Sequence, residues 1–163
     1  MPILSAARLL SFIVPFVLLG GALISEYAFG LFPCEMCYWQ RWPHEAAIIL
    51  ALLALIFAKK SWSQILIALA AIAIGISGLI GGFHAGVEYG WWEGLTECAI
   101  TAGPSGGDLL ESIMNAPIIR CDVAQWSLFG ISLAGWNFLL SIGGMLTIFG
   151  LLGASKKARA IEA

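Results

Sequence analysis

Four long apolar stretches constrain this chain more than any motif does. They run from about Leu9 to Ser25, between Glu45 and Lys59, from about Ile65 to Phe83, and from about Trp126 to Leu152. A helix needs about 20 residues to cross the hydrocarbon core of a bilayer, and the second stretch falls short. Ala46 to Ala58 is 13 residues, or about 20 Å of helix. To span, that helix must continue back through Trp42 and Arg41 to about Trp39, which draws Arg41, His44 and Glu45 to the membrane boundary. With 60% hydrophobic and 11% charged residues in 163, the chain has too little polar surface to cover a soluble core. We therefore expect an all-α integral membrane protein, a four-helix transmembrane bundle in a single domain over residues 1–163. Helices are expected at about 9–28, 39–58, 63–83 and 126–152, outer loops at about 29–38 and 84–125, and a tail at 153–163. No small-x-small cleavage site stands between Ser25 and Pro33, so the first stretch is expected to be a retained helix and not a removed leader. Eight Lys and Arg against ten Asp and Glu, without a basic stripe, argue against nucleic-acid binding.

The flanking charges orient the bundle. With both termini on one side, that side carries Arg8, Lys59, Lys60, Lys156, Lys157 and Arg159, and the other only Arg41 and Arg120. Positive flanks stay cytoplasmic, so both termini are expected there. All four cysteines and nine of the ten acids then lie on the opposite face. In a bacterium that face of the inner membrane is the periplasm, where disulfides form and persist.

Small residues mark the helix contacts. Gly75, Gly78 and Gly82 in the third stretch, and Gly130 and Ala134 in the fourth, suit close packing in lipid. In the long outer loop, Trp91 and Trp92 suit the headgroup level. Beyond Gly103-Pro104-Ser105-Gly106-Gly107, Asp108 and Glu111 form a capping-box-like pair. Leu109, Leu110, Ile113 and Met114 give the segment they head an apolar face, so a short interfacial helix is expected there.

The chemistry sits in the cysteines. Cys34-Glu35-Met36-Cys37 is a C-x-x-C placed where the second helix begins. The free N–H groups and dipole of a helix start favour a thiolate, which makes the nearer cysteine a better attacking or leaving group. Zinc competes for such a motif, but Cys98 and Cys121 are 23 positions apart and no histidine is near either in sequence, unlike a zinc ribbon. Two structural disulfides in a non-catalytic membrane scaffold also satisfy the spacing. Cys37, Arg41 and Glu45 follow one another at i, i+4, i+8 along one helix face. An arginine at the membrane boundary is costly unless paired or used. Two uses stay open, an intrahelical ion pair with Glu45 or hydrogen bonds to an oxygen of a lipid-soluble ligand beside Cys37. Pro43 cannot donate to the Trp39 carbonyl and loosens the helix there. His44 and His84 are expected near the outer face in interfacial hydrogen bonds, and His84 could serve a proton-coupled ligand.

Three segments carry a resemblance. Cys34 to Pro43, read as C-x-x-C-x-x-x-R, resembles the corresponding segment of the DsbB family of disulfide bond formation proteins. His84-Ala85-Gly86-Val87-Glu88-Tyr89-Gly90-Trp91-Trp92 followed by Cys98 is similar to the second loop in one branch of that family. Cys121-Asp122 with Trp126 to Asn137 is similar to its last cysteine and fourth helix. A vitamin-K-epoxide-reductase-like arrangement would place C-x-x-C late in the chain, whereas here it follows the first helix. The resemblance implies a quinone-dependent, disulfide-forming thiol oxidoreductase that reoxidises a periplasmic DsbA-like thioredoxin-fold protein and passes electrons to membrane ubiquinone or menaquinone. It implies Cys34, Cys37, Cys98 and Cys121 as catalytic residues; no metal is expected, from the cysteine spacing given above. The Cys98–Cys121 disulfide would be attacked by the partner at Cys98, Cys121 would then attack Cys34, and Cys37 would face the quinone. Arg41 would hold the quinone, with His44 and His84 as further candidates near it.

Overall fold

The computed structural model describes residues 2–95, 99–100 and 118–162. Four helices account for most of it: α1 (Pro2–Phe29), α2 (Glu35–Ile56), α3 (Ser63–Glu88) and α4 (Leu133–Glu162). Among the described residues, four two-residue strands lie between α3 and α4: β1 (Ala99–Ile100), β2 (Ile118–Ile119), β3 (Ser127–Leu128) and β4 (Ile131–Ser132). The protein is a helical membrane protein, and α1, α3 and α4 are each long and apolar enough to cross a bilayer. In α2 polar Gln40, Arg41 and His44 share a buried stripe with Met36, Ala47, Ala51 and Ala54, so these three polar groups face its neighbours and not lipid.

Contacts at the two ends define the up-and-down course. Arg8, near the start of α1, donates to the Ala58 carbonyl just past α2 and to Ser63 Oγ at the start of α3, at 3.2 and 3.3 Å. Arg41, near the start of α2, reaches back to Glu26, near the end of α1. The two sets lie at opposite ends of the bundle.

Small residues let the helices close on one another, as lipid-embedded packing requires. One core cluster joins Ala47, Ala51 and Ala54 of α2 to Ile67, Ala70, Ala71 and Ile74 of α3 and to Ile148 and Leu152 of α4. The glycine face of α3 meets α4, with Gly75 against Met145, Gly78 against Ser141 and Gly82 against Phe138. Gly81 faces main chain and buried amides of its neighbours. A Cβ there would stand 2.9 Å from the Ala134 carbonyl oxygen and 3.0 Å from both Asn137 Nδ2 and Gln40 Oε1. Gly81→Ala is therefore expected to cost about 1–3 kcal/mol through overpacking, read as a lowered thermal midpoint in detergent.

Several boundaries differ from the sequence reading. α2 begins at Glu35 instead of about residue 39, because the first turn forms directly on Cys34, whose extended backbone (φ −79°, ψ 175°) caps the helix. α3 continues to Glu88. α4 begins at Leu133, not about residue 126, because residues 127–132 form a hairpin. Its central residues Phe129 and Gly130 both have positive φ, 54° and 77°, as a type I′ turn demands. Gly130 is thus a turn residue and not a helix-packing one. The Tyr89 hydroxyl ties the hairpin to α3, donating to the Gly130 carbonyl at 3.1 Å and accepting from the Ser132 N–H at 3.0 Å. Trp92 folds back to stack on Phe83 with ring centroids 5.7 Å apart. The interfacial helix expected at 108–114 lies outside the described residues, as does Cys98.

Candidate functional site

The start of α2 builds the thiol centre. Pro33 leads an extended segment into Cys34, and the N–H groups of Cys37 and Tyr38 close the first turn onto the Cys34 carbonyl at 3.1 and 3.3 Å. This turn brings the two sulfurs to 3.2 Å. Cys34 is buried and Cys37 half-buried. Contact with the Cys37 sulfur, together with burial, pushes the Cys34 thiol up, so the two members of the pair are chemically unequal.

Two further groups converge on the pair. Cys121, far away in sequence, lies in the same buried cluster as Cys34, Met36, Val87 and Ile119, and its sulfur is a hydrogen-bonding neighbour of Cys34. His84, from the last turn of α3, places Nε2 3.6 Å from Cys34 Sγ and 3.8 Å from Glu88 Oε1. Three of the four predicted cysteines therefore meet in one place.

Behind them runs a chain of buried amides and imidazoles. Gln40 Nε2 donates to the Met36 carbonyl at 3.0 Å and lies 2.9 Å from His84 Nδ1. Asn137 Nδ2, from α4, donates to Gln40 Oε1 at 2.9 Å and to the Ser77 carbonyl at 3.2 Å. Asn137 Oδ1 accepts from Ser141 Oγ and pairs with His44 Nε2, both at 2.9 Å. Both histidines are 2–3% exposed. The expectation that they sit in interfacial hydrogen bonds is corrected: α3 and α4 enclose them, and amide partners inside the bundle offset the cost of burial.

Arg41 is also paired differently from either sequence expectation taken alone. Its guanidinium donates to Glu26 and to the Ala22 carbonyl of α1, the latter at 3.3 Å, and lies 5.3 Å from the centroid of the Tyr38 ring. Glu45 is exposed, and the predicted Arg41–Glu45 pair is absent among the described residues. At i+4 the glutamate has turned toward the outside of the bundle, while α1 supplies a carboxylate on the buried side.

A cavity of about 250 Å³ opens beside this centre, lined by Cys34, Cys37, Arg41, His44, His84 and Glu88 and by apolar residues of α1 and α4. All four residues predicted to bind a cofactor (Cys37, Arg41, His44 and His84) border it. Sequence reasoning missed Glu26, Gln40, Glu88 and Asn137. A buried acid at a helix end and polar residues on apolar helices were the available signals, yet none of these names its partner.

A bundle of membrane helices with three cysteines and a histidine gathered at one helix start is a membrane thiol–disulfide protein. The family model described as "Disulfide bond formation protein DsbB" matches residues 5–151, and the chain belongs to that family. It is similar to "Disulfide bond formation protein B" of Verminephrobacter eiseniae, 30% identical over 156 residues, covering 88% of this chain and 85% of that one. It is also similar to the protein of the same name from Marinobacter nauticus, 27% identical over 151 residues, covering 87% and 86%. An uncharacterized protein of Rickettsia prowazekii is 29% identical over 143 residues, covering 85% and 81%. No solved structure matches the chain significantly. The protein is thus a disulfide bond formation membrane protein with disulfide oxidoreductase chemistry.

Proposed function

We propose that this protein reoxidises a periplasmic DsbA-like thioredoxin-fold protein and passes the two electrons to quinone in the bacterial inner membrane, with both termini cytoplasmic and the cysteines periplasmic. The observation that carries the reading is the meeting of Cys121 with Cys34 and Cys37, the latter two lining the cavity that Arg41 borders. In this reading the partner dithiol opens Cys98–Cys121 through Cys98. The freed Cys121 thiolate attacks Cys34, forming Cys34–Cys121 and releasing Cys37 as a thiolate. Each exchange breaks one S–S bond and forms one, so the partner's electron pair is carried inward to the Cys37 side without an external oxidant.

The cavity's residues fit a quinone head. Its walls are mainly apolar, as a lipid-soluble ring requires. Arg41 supplies donors for a ring oxygen, and His44 Nδ1, a buried nitrogen without a hydrogen-bond partner among the described residues, would accept from a hydroxyl of the reduced ring, since its Nε2–H is given to Asn137 Oδ1. A quinone bound there would supply the two-electron, two-proton sink. Cys37 would face it from the first turn of α2, Arg41 would orient it, and the α1 and α4 side chains would exclude water.

The test is a quinone titration of the fully reduced protein in detergent, with free thiols counted by mass-tag alkylation. Two thiols are expected to disappear for each quinol formed. A scaffold stapled by disulfides would show no thiol loss coupled to quinol, and that result would remove the reading.

A further inference from the structure

The sulfurs of Cys34 and Cys37 and a ring nitrogen of His84 lie within 4.8 Å of one another, a separation that a tetrahedral metal ion could bridge. Such a reduced dithiol beside a histidine offers three of the four ligands of a structural zinc site. The hydrogen-bond chain behind His84 decides against that use.

The amide orientations follow from two main-chain carbonyls, which can only accept. The Ser77 carbonyl requires the Asn137 amide nitrogen on its side, and the Met36 carbonyl requires the Gln40 amide nitrogen on its side. The Asn137 nitrogen then donates to Gln40 Oε1, which reinforces the same assignment. Gln40 consequently presents an N–H to His84 Nδ1 at 2.9 Å, so Nδ1 carries the lone pair and Nε2 carries the proton. The groups facing Nε2 are compatible with this: the Cys34 sulfur at 3.6 Å can accept, and Glu88 Oε1 stands 3.8 Å away. A metal-bound histidine has the opposite arrangement. Its ligating nitrogen must be bare, and its other N–H is donated to a carboxylate or carbonyl.

We propose that Gln40, held by Asn137, keeps this centre a thiol-exchange site by fixing His84 as an Nε2–H donor toward the sulfurs, which denies the reduced dithiol its histidine as a metal ligand. A centre whose dithiol is regenerated in every turnover is open to a thiophilic cation each time. Uptake would expel two thiol protons and lock both sulfurs as thiolates on the metal, which stops exchange. The amide in place of a carboxylate at position 40 prevents it. The inference rests on the family's thiol chemistry and is independent of whether quinone is the acceptor.

The experiment uses reduced full-length protein in detergent with 15N-labelled histidine. Only two histidines are present, and His84→Phe identifies the His84 signals by their loss. Wild type is expected to show His84 as the Nε2–H tautomer and to give no thiolate-to-metal charge-transfer bands with Co2+. In Gln40→Glu the carboxylate accepts from Nδ1–H and frees Nε2. That variant is expected to switch tautomer and to bind Co2+ with thiolate bands about 10–100-fold more tightly than wild type, the range over which a ligand's hydrogen-bond partner tunes metal affinity. Zn2+ should displace the cobalt. An Nδ1–H tautomer in wild type, thiolate–cobalt bands in wild type, or an unchanged tautomer in Gln40→Glu would each overturn the proposal. If Gln40→Glu does not fold, the wild-type spectrum and cobalt titration decide alone. Loss of quinone-linked thiol oxidation with these results intact would count against the proposed function and not against this inference.

Discussion

Cys121→Ser is expected to reduce oxidation of a DsbA-like dithiol partner to background while the Cys34–Cys37 pair still exchanges electrons with quinone. The sulfur of Cys121 neighbours Cys34 in a cluster closed to solvent. A serine hydroxyl fits that space but cannot form the S–S bond that carries an electron pair from the outer loop to the helix start. Cys37→Ser should behave differently, because it removes the sulfur proposed to face the acceptor and so abolishes both half-reactions. The check is two separate assays on each purified variant: thiol loss in the partner, and quinol formation by the pre-reduced protein. Wild-type partner oxidation by Cys121→Ser would refute the relay through Cys121. Quinol formation by Cys37→Ser would refute the placement of Cys37 at the acceptor.

Arg41→Ala is expected to have the second largest effect, and on two quantities. Arg41 and Glu26 have side chains only 11% and 14% exposed. Removing one partner of such a buried pair leaves a stranded charge and costs about 3–5 kcal/mol, so the thermal midpoint in detergent should fall sharply. Glu26→Gln should destabilise for the same reason, and the double variant Glu26→Gln with Arg41→Gln should recover part of the loss, because neither charge is then left alone. Kinetics separate structure from ligand binding. If Arg41 orients the quinone, Arg41→Ala raises the quinone KM strongly, whereas Glu26→Gln, which leaves the guanidinium in place, raises it less. Arg41→Lys should not rescue, since a point ammonium cannot serve the Glu26 carboxylate, the Ala22 carbonyl and a ring oxygen together as a planar fork can. An unchanged quinone KM and kcat in folded Arg41→Ala would leave Arg41 a purely structural residue.

Much of this architecture is legible along the chain, because a bilayer demands long apolar helices and leaves few alternatives. The four apolar runs, the C-x-x-C at a helix start and the small-residue face of α3 each follow from local composition or periodicity. Helix ends are less legible. Cys34 caps α2 and the Phe129–Gly130 turn delays α4, and both depend on backbone angles that hydropathy does not encode.

Partner choice is where sequence reasoning ran out. Position i+4 offered Glu45 to Arg41 as a neighbour on the same helix, but burial against α1 made Glu26 the partner. His44 and His84 read as isolated polar residues near an interface until Gln40 and Asn137 joined them across three helices. Zinc could be set aside in the sequence for want of a histidine near the cysteines. The fold then places His84 beside them, a juxtaposition that spacing along the chain does not reveal. The sequence by itself determined that this chain lies in a membrane as a helical bundle with a reactive cysteine pair at a helix start, because those properties come from hydrophobicity and from residues within one turn of each other. The tertiary structure alone decided which cysteine meets the pair, which acid neutralises Arg41 and which amides join His84 and His44, because each depends on atoms brought together from distant parts of the chain.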